Sequence, residues 1–115
     1  MAEDINVVEI DGVTVVTVQV ESLMGLREVE RLAAEMEGQI GGGVSKLVLD
    51  MSHTRYAGSA ALGVIIAAQK RIKTAGGKMV MVQSDPITQL LKIARTQSIF
   101  TAAPNLNEAV RMLQR

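Results

Sequence analysis

The chain has 115 residues with twelve basic and twelve acidic side chains, no cysteine and one histidine. That length fits one compact domain with a core of its own, with residues 1–115 read as a single unit. The balance of charge argues against a generic nucleic-acid binder, and the missing cysteines exclude disulfides, thiol chemistry and Cys-based metal sites.

Hydrophobic residues make up 48% of the chain, so disorder is not expected, yet Tyr56 and Phe100 are the only aromatics. The core must therefore be aliphatic, and a base-stacking platform is not expected. The N-terminal MAEDINVVEI lacks the charged and apolar regions of a signal peptide, and Ala60 to Ala68 is too short to span a bilayer. A cytoplasmic location without membrane contact is expected.

Val7 to Ile10, Asp11-Gly12 and Val13 to Val20 predict a β-hairpin, because Asp-Gly tolerates the positive φ angles of a type I′ turn. Glu21 to Gly25 is expected to be a loop. Leu26, Val29, Ala33, Met36 and Ile40 then recur at steps of three and four, one face of an amphipathic helix. Gly41-Gly42-Gly43 ends it. A P-loop would need Gly-Lys-Ser/Thr opening a helix, whereas here a strand follows.

Lys46 to Asp50 predicts a short buried strand. A second helix is expected from about Ser59 to Thr74, closed by Gly76-Gly77, and then a strand over Lys78 to Val82. Asp85 reads as the N-cap of a third helix with Pro86 at its first position and Ile87, Leu90, Leu91 and Ala94 inward. A short strand near Ser98 to Thr101 and a last helix capped by Asn105 complete the order ββαβαβαβα. That order predicts an α/β fold with a mixed, mostly parallel sheet, an antiparallel opening hairpin and about four helices.

The stretch LVLDMSHTRYAGSAALGVIIAAQKRIKTAGGKMVMV, Leu47 to Val82, resembles the core of the STAS family: an apolar strand ending in Asp, a serine-containing turn, Leu-Gly in a helix, a Gly-Gly break and a second apolar strand. The resemblance covers nearly the whole chain and is most specific from Asp50 to Gly77. Where the family usually has Asp-Ser-Ser-Gly-Leu-Gly, this chain has Gly58-Ser59-Ala60-Ala61-Leu62-Gly63. The family's phosphoacceptor serine aligns with Ser59. The Asp before it is Gly58 here, the second Ser is Ala60 and the next Gly is Ala61. Arg95-Thr96 replaces a frequent Gly-Leu pair, and the usual Gly-x-Leu-Asp is missing from the Val18 to Met24 region.

The resemblance implies a stand-alone anti-sigma factor antagonist in a partner-switching module, a binding protein and not an enzyme. It would bind an anti-sigma factor that is often a serine kinase. Phosphorylation of Ser59 would break the complex and a phosphatase would restore it. No cofactor is implied, since ATP would belong to the kinase. The alternative is a non-phosphorylated structural STAS subunit of a larger signalling assembly. Both monomer and homo-oligomer fit the sequence.

Ser59 also has a bland reading as the N-cap of the second helix, for which serine is well suited. On that helix Leu62, Ile65, Gln69 and Ile72 are expected inward. Ala60, Gly63, Val64 and Ala67 form a small-residue side that either receives a partner or lies under another helix of the domain. Met24 and Arg55 are further candidate partner contacts, and Gly58 flanks the serine. Asp50 either orients Ser52, His53 or Thr54 or simply ends its strand. A hydrolase built on Asp50, His53 and Ser59 has only their proximity along the chain to support it.

Overall fold

The computed structural model describes residues 4–114. Met1 to Glu3, which open the segment read above for a targeting signal, lie outside the described residues, as does Arg115.

Asp11 and Gly12 turn the chain with φ of 51° and 83°, the left-handed pair that a type I′ turn requires. They join β1 (Ile5–Ile10) to β2 (Val13–Val18) in an antiparallel pair that runs from Ile5 opposite Val18 to Ile10 opposite Val13. The chain then forms β3 (Ser22–Leu23), α1 (Leu26–Gly41), β4 (Lys46–Met51), β5 (Tyr56–Ala57) and α2 (Ser59–Thr74). It continues through β6 (Lys78–Gln83), α3 (Asp85–Ile93), a 3-10 turn (Gln97–Ile99), β7 (Thr101–Ala103) and α4 (Leu106–Leu113).

The main sheet has the order β1-β2-β4-β6-β7, and every pairing after the hairpin is parallel. The expected α/β architecture with an antiparallel hairpin is therefore present. Its inner strands are covered on both faces. Leu47, Leu49, Met51, Met79 and Met81 face a core shared with α1, α2 and α3, while Val48, Val80 and Val82 face a second core under α4. Burial on both sides is why these strands read as unbroken apolar runs.

Several expectations change. The predicted loop at Glu21 to Gly25 contains β3, which pairs in parallel with β5. The Glu21 carbonyl accepts from the amides of Arg55 and Tyr56, and Leu23 is buried, so this ribbon is anchored. On α1, Leu32 faces the core and Leu26 is 74% exposed, because the buried face starts one turn later, at Val29. Ala33 is half-buried. Ser84 is the N-cap of α3, with its side chain accepting from the Ile87 amide; Asp85 is the first helical residue. The strand expected near Ser98 to Thr101 begins only at Thr101, after the 3-10 turn.

Candidate functional site

The site is built where β4, β5 and β6 hand over to loops and helices. Asp50, 6% exposed at the end of β4, accepts from the Ser52 amide at 3.0 Å and from its hydroxyl at 2.7 Å. Asp50 thus folds the turn back on itself, which resolves the open alternatives in favour of orienting Ser52. The turn delivers Thr54, which is fully buried. Its hydroxyl donates to the Val20 carbonyl at 2.9 Å, and its own carbonyl accepts from the Ser84 hydroxyl. Three loops are tied together through this one residue, so β5 and the start of α2 inherit a fixed position.

Gly58, not Ser59, caps α2: it is extended, with φ −103° and ψ −175°, and offers no side chain to the helix. Ser59 is the first helical residue and is exposed. The first amides of a helix lack intrahelical acceptors and carry partial positive charge, so the Ser59 hydroxyl stands where an added anion is tolerated. A Cβ built on Gly58 would lie 3.5 Å from Met24 Sδ, an ordinary contact that brings Met24 over the helix start. Met24 is 63% exposed and Tyr56 55% exposed, so the serine is flanked by apolar surface. Arg55 is exposed beside them.

The predicted small-residue side of α2 divides in two. Ala60, Gly63 and Ala67 are exposed. Val64 is half-buried and packs against the core, and with Ala67 it lines a cleft whose other wall is Ala33 and Met36 of α1. The inward side follows Ala61, Ile65, Ala68 and Ile72, with Leu62 and Gln69 half-buried. Arg71 pairs with Glu37 across the two helices.

His53 is exposed, and the Asp50 carboxylate is engaged by Ser52; no hydrogen bond joins Asp50, His53 and Ser59 among the described residues. These residues do not form the relay that a hydrolytic triad needs. Among the described residues no cluster of His, Asp and Glu is arranged to hold a metal ion, and no helix is long and apolar enough to cross a membrane.

Sequence reasoning missed the groove between β5 and α3, where Met24, Tyr56, Leu90 and Ile93 come together. A signal was available: Ile93 falls outside the face set by Ile87 and Leu91, and an Ile on the solvent side of an amphipathic helix marks a candidate surface.

A five-stranded mixed sheet with three helices on one face and one on the other defines an α/β domain whose serine-bearing turn opens the middle helix. The chain belongs to the STAS domain family, whose model matches residues 4–109. A Bordetella bronchiseptica protein named as the anti-sigma factor antagonist BtrV is 29% identical over 102 residues, 88% of this chain and 85% of its own. The crystal structure of an anti-sigma factor antagonist from Mycobacterium paratuberculosis shares the fold, with a TM-score of 0.85 at 20% identity over 96% of this chain and 93% of that one. The anti-sigma factor antagonist SpoIIAA in its unphosphorylated form also shares it, with a TM-score of 0.74 at 12% identity, covering 96% of this chain and 97% of that one. SpoIIAA in its phosphorylated form matches with a TM-score of 0.73 at 14% identity, covering 94% and 97%.

Proposed function

We propose that this chain is an anti-sigma factor antagonist of a partner-switching module, docking an anti-sigma factor with serine kinase activity through the start of α2. Ser59 is the phosphoacceptor in this reading. Gly58, Ala60, Gly63, Val64 and Ala67 with Met24 and Arg55 form the contact surface. The observation that carries it is the exposed Ser59 at the first position of α2, beside exposed Met24 and Tyr56.

A phosphate adds about −1.5 to −2 charges at neutral pH. The helix start offsets roughly 0.3–1 kcal/mol of the cost, so the domain stays folded. The effect falls on the docked partner, where desolvation and repulsion penalise a dianion, and every ~1.4 kcal/mol lost weakens binding about tenfold. The near-equal likeness of this chain to both forms of SpoIIAA, with TM-scores of 0.74 and 0.73, supports a switch that leaves the fold in place. A phosphatase that removes the phosphate would reset it.

A second reading draws on Gly58, which places no carboxylate beside Ser59. Without that group the chain would serve as a non-phosphorylated subunit of a larger signalling assembly. The test is a pull-down from native cytosol with wild type, Ser59→Ala and Ser59→Glu, followed by affinity measurements on the purified partner. An anti-sigma kinase that binds wild type and Ser59→Ala but not Ser59→Glu supports the first reading. Recovery of one large assembly by all three variants sinks it and favours the second.

A further inference from the structure

We propose that the groove between α3 and the β3–β5 ribbon is the seat of an acidic amphipathic helix contributed by the protein partner. This rests on the binding reading above and adds the chemistry of what is bound. Pro86, Gln89, Leu90 and Ile93 line the groove from α3. They stand at i, i+3, i+4 and i+7 and so share one side of that helix. The core takes the adjoining side, through Leu91 and Ile87, and the buried Ile87 also borders the groove. Ile93 is left 80% exposed, and across the groove Met24 and Tyr56 are 63% and 55% exposed. Three large apolar side chains uncovered around one concavity fit a protein-binding surface better than scattered exposure does.

The charge of the groove selects the occupant. Among the described residues Arg55 is its only charged lining residue. The ion pairs among the described residues are Arg31–Asp4, Arg71–Glu37 and Arg111–Glu108, so the Arg55 guanidinium is paired with no carboxylate among the described residues. A guanidinium at the edge of an apolar trough favours a ligand that brings a carboxylate next to apolar anchors. From Pro86 to Ile93 the helix rises about 10 Å, two turns, which matches anchors spaced i, i+3 or i+4, and i+7 on a docked helix.

Met24 joins the groove to the serine, since it lines the groove and also lies over Gly58. A carboxylate-bearing helix resting on Met24 therefore comes near Ser59, within the ~8–10 Å over which exposed charges still act at moderate salt. Phosphate on Ser59 repels such a helix directly. The groove thus supplies a physical origin for the switch: acidic ligand against phosphoserine.

The test uses the full chain, isotope-labelled for amide shift mapping. The probe is a synthetic helix-forming peptide with Leu at i, i+3, i+4 and i+7 flanked by Glu, and its twin has Lys in place of Glu. The expected result is saturable shifts at Met24, Tyr56, Leu90 and Ile93 with the acidic peptide only. Arg55→Glu and Ile93→Ser should each weaken it about tenfold or more. Equal binding of both peptides, or shifts confined to α1 or α4, would overturn the proposal. So would shifts of the groove amides with protein concentration alone, which would make a second copy the occupant. The readings separate cleanly. If Ser59→Glu abolishes binding of the anti-sigma factor while Arg55→Glu and Ile93→Ser leave it intact, the groove is excluded and the Ser59 reading stands. If the acidic peptide seats but no anti-sigma factor binds wild type, the groove stands and the Ser59 reading fails.

Discussion

The Ser84 hydroxyl donates to the Thr54 carbonyl and at the same time accepts from the Ile87 amide at 3.3 Å, so one side chain caps α3 and pins the loop that leads to Ser59. Thr54 extends the tie to Val20 through its own hydroxyl. Stability of the helix and position of the candidate site thus share a polar chain, and cutting it should affect both.

Thr54→Val is close to isosteric and removes the donor to the Val20 carbonyl at a fully buried position. Val20 is half-buried, so losing this bond costs about 0.5–1.5 kcal/mol, the net worth of an ordinary hydrogen bond. Ser84→Ala loses an N-cap, worth roughly 1 kcal/mol, together with the bond to Thr54. Urea denaturation should show lower midpoints for both with an unchanged slope. A midpoint equal to wild type would mean that water or a shifted loop replaces the lost bonds.

The α1 helix separates pattern from packing. Leu26 fits the three-and-four spacing but is 74% exposed, whereas Leu32 is fully buried. Leu32→Ala should therefore destabilise by about 2–5 kcal/mol, and Leu26→Ala should stay within ~0.5 kcal/mol. Thermal melts of the two variants check this directly. Similar losses in both would place Leu26 in the core.

Periodicity located α1 and oriented most of it, since Val29, Met36 and Ile40 are buried as the spacing predicts; only contact with the sheet selects Leu32 and leaves Leu26 outside. The hairpin was legible because Asp11-Gly12 carries its own backbone preference. The β3–β5 ribbon was not, since two-residue strands have no period and are held by contacts from Glu21 to Arg55 and Tyr56, distant in sequence. Ser59 was legible as a helix start, but the choice of Gly58 as cap depends on an extended conformation that composition does not encode. The groove along Ile93 depends on how α3 lies against β5, which is a tertiary fact.

Gly58→Asp restores the residue usual in the family before the phosphoacceptor. The added Cβ meets only Met24 at 3.5 Å and 3.7 Å, so there is room. Asp as N-cap should improve on Gly by a few tenths of a kcal/mol, about 0.3–0.5. The variant should melt slightly higher and, in the phospho-switch reading, be a better kinase substrate. A lower melting temperature would show that Met24 cannot yield and that the cap geometry here is specific to glycine.

Gly38 and Gly63 form a matched pair that separates stability from docking. Both lie inside helices, and a Cβ added at either meets nothing within 4 Å. Glycine inside a helix costs about 0.5–1 kcal/mol relative to alanine, so Gly38→Ala and Gly63→Ala should each raise stability by that amount. Gly38 is on α1, outside the proposed contact surface, whereas Gly63 is on the exposed side of α2 with Ala60 and Ala67. If a partner approaches the α2 backbone closely there, the methyl group of Gly63→Ala intrudes and binding weakens about tenfold, ~1.4 kcal/mol, while Gly38→Ala binds like wild type. Calorimetric titration of both variants against the purified partner decides the matter. Equal affinity in the two would leave the docked surface on the Met24 and Ile93 side of Ser59 and remove the α2 face from it.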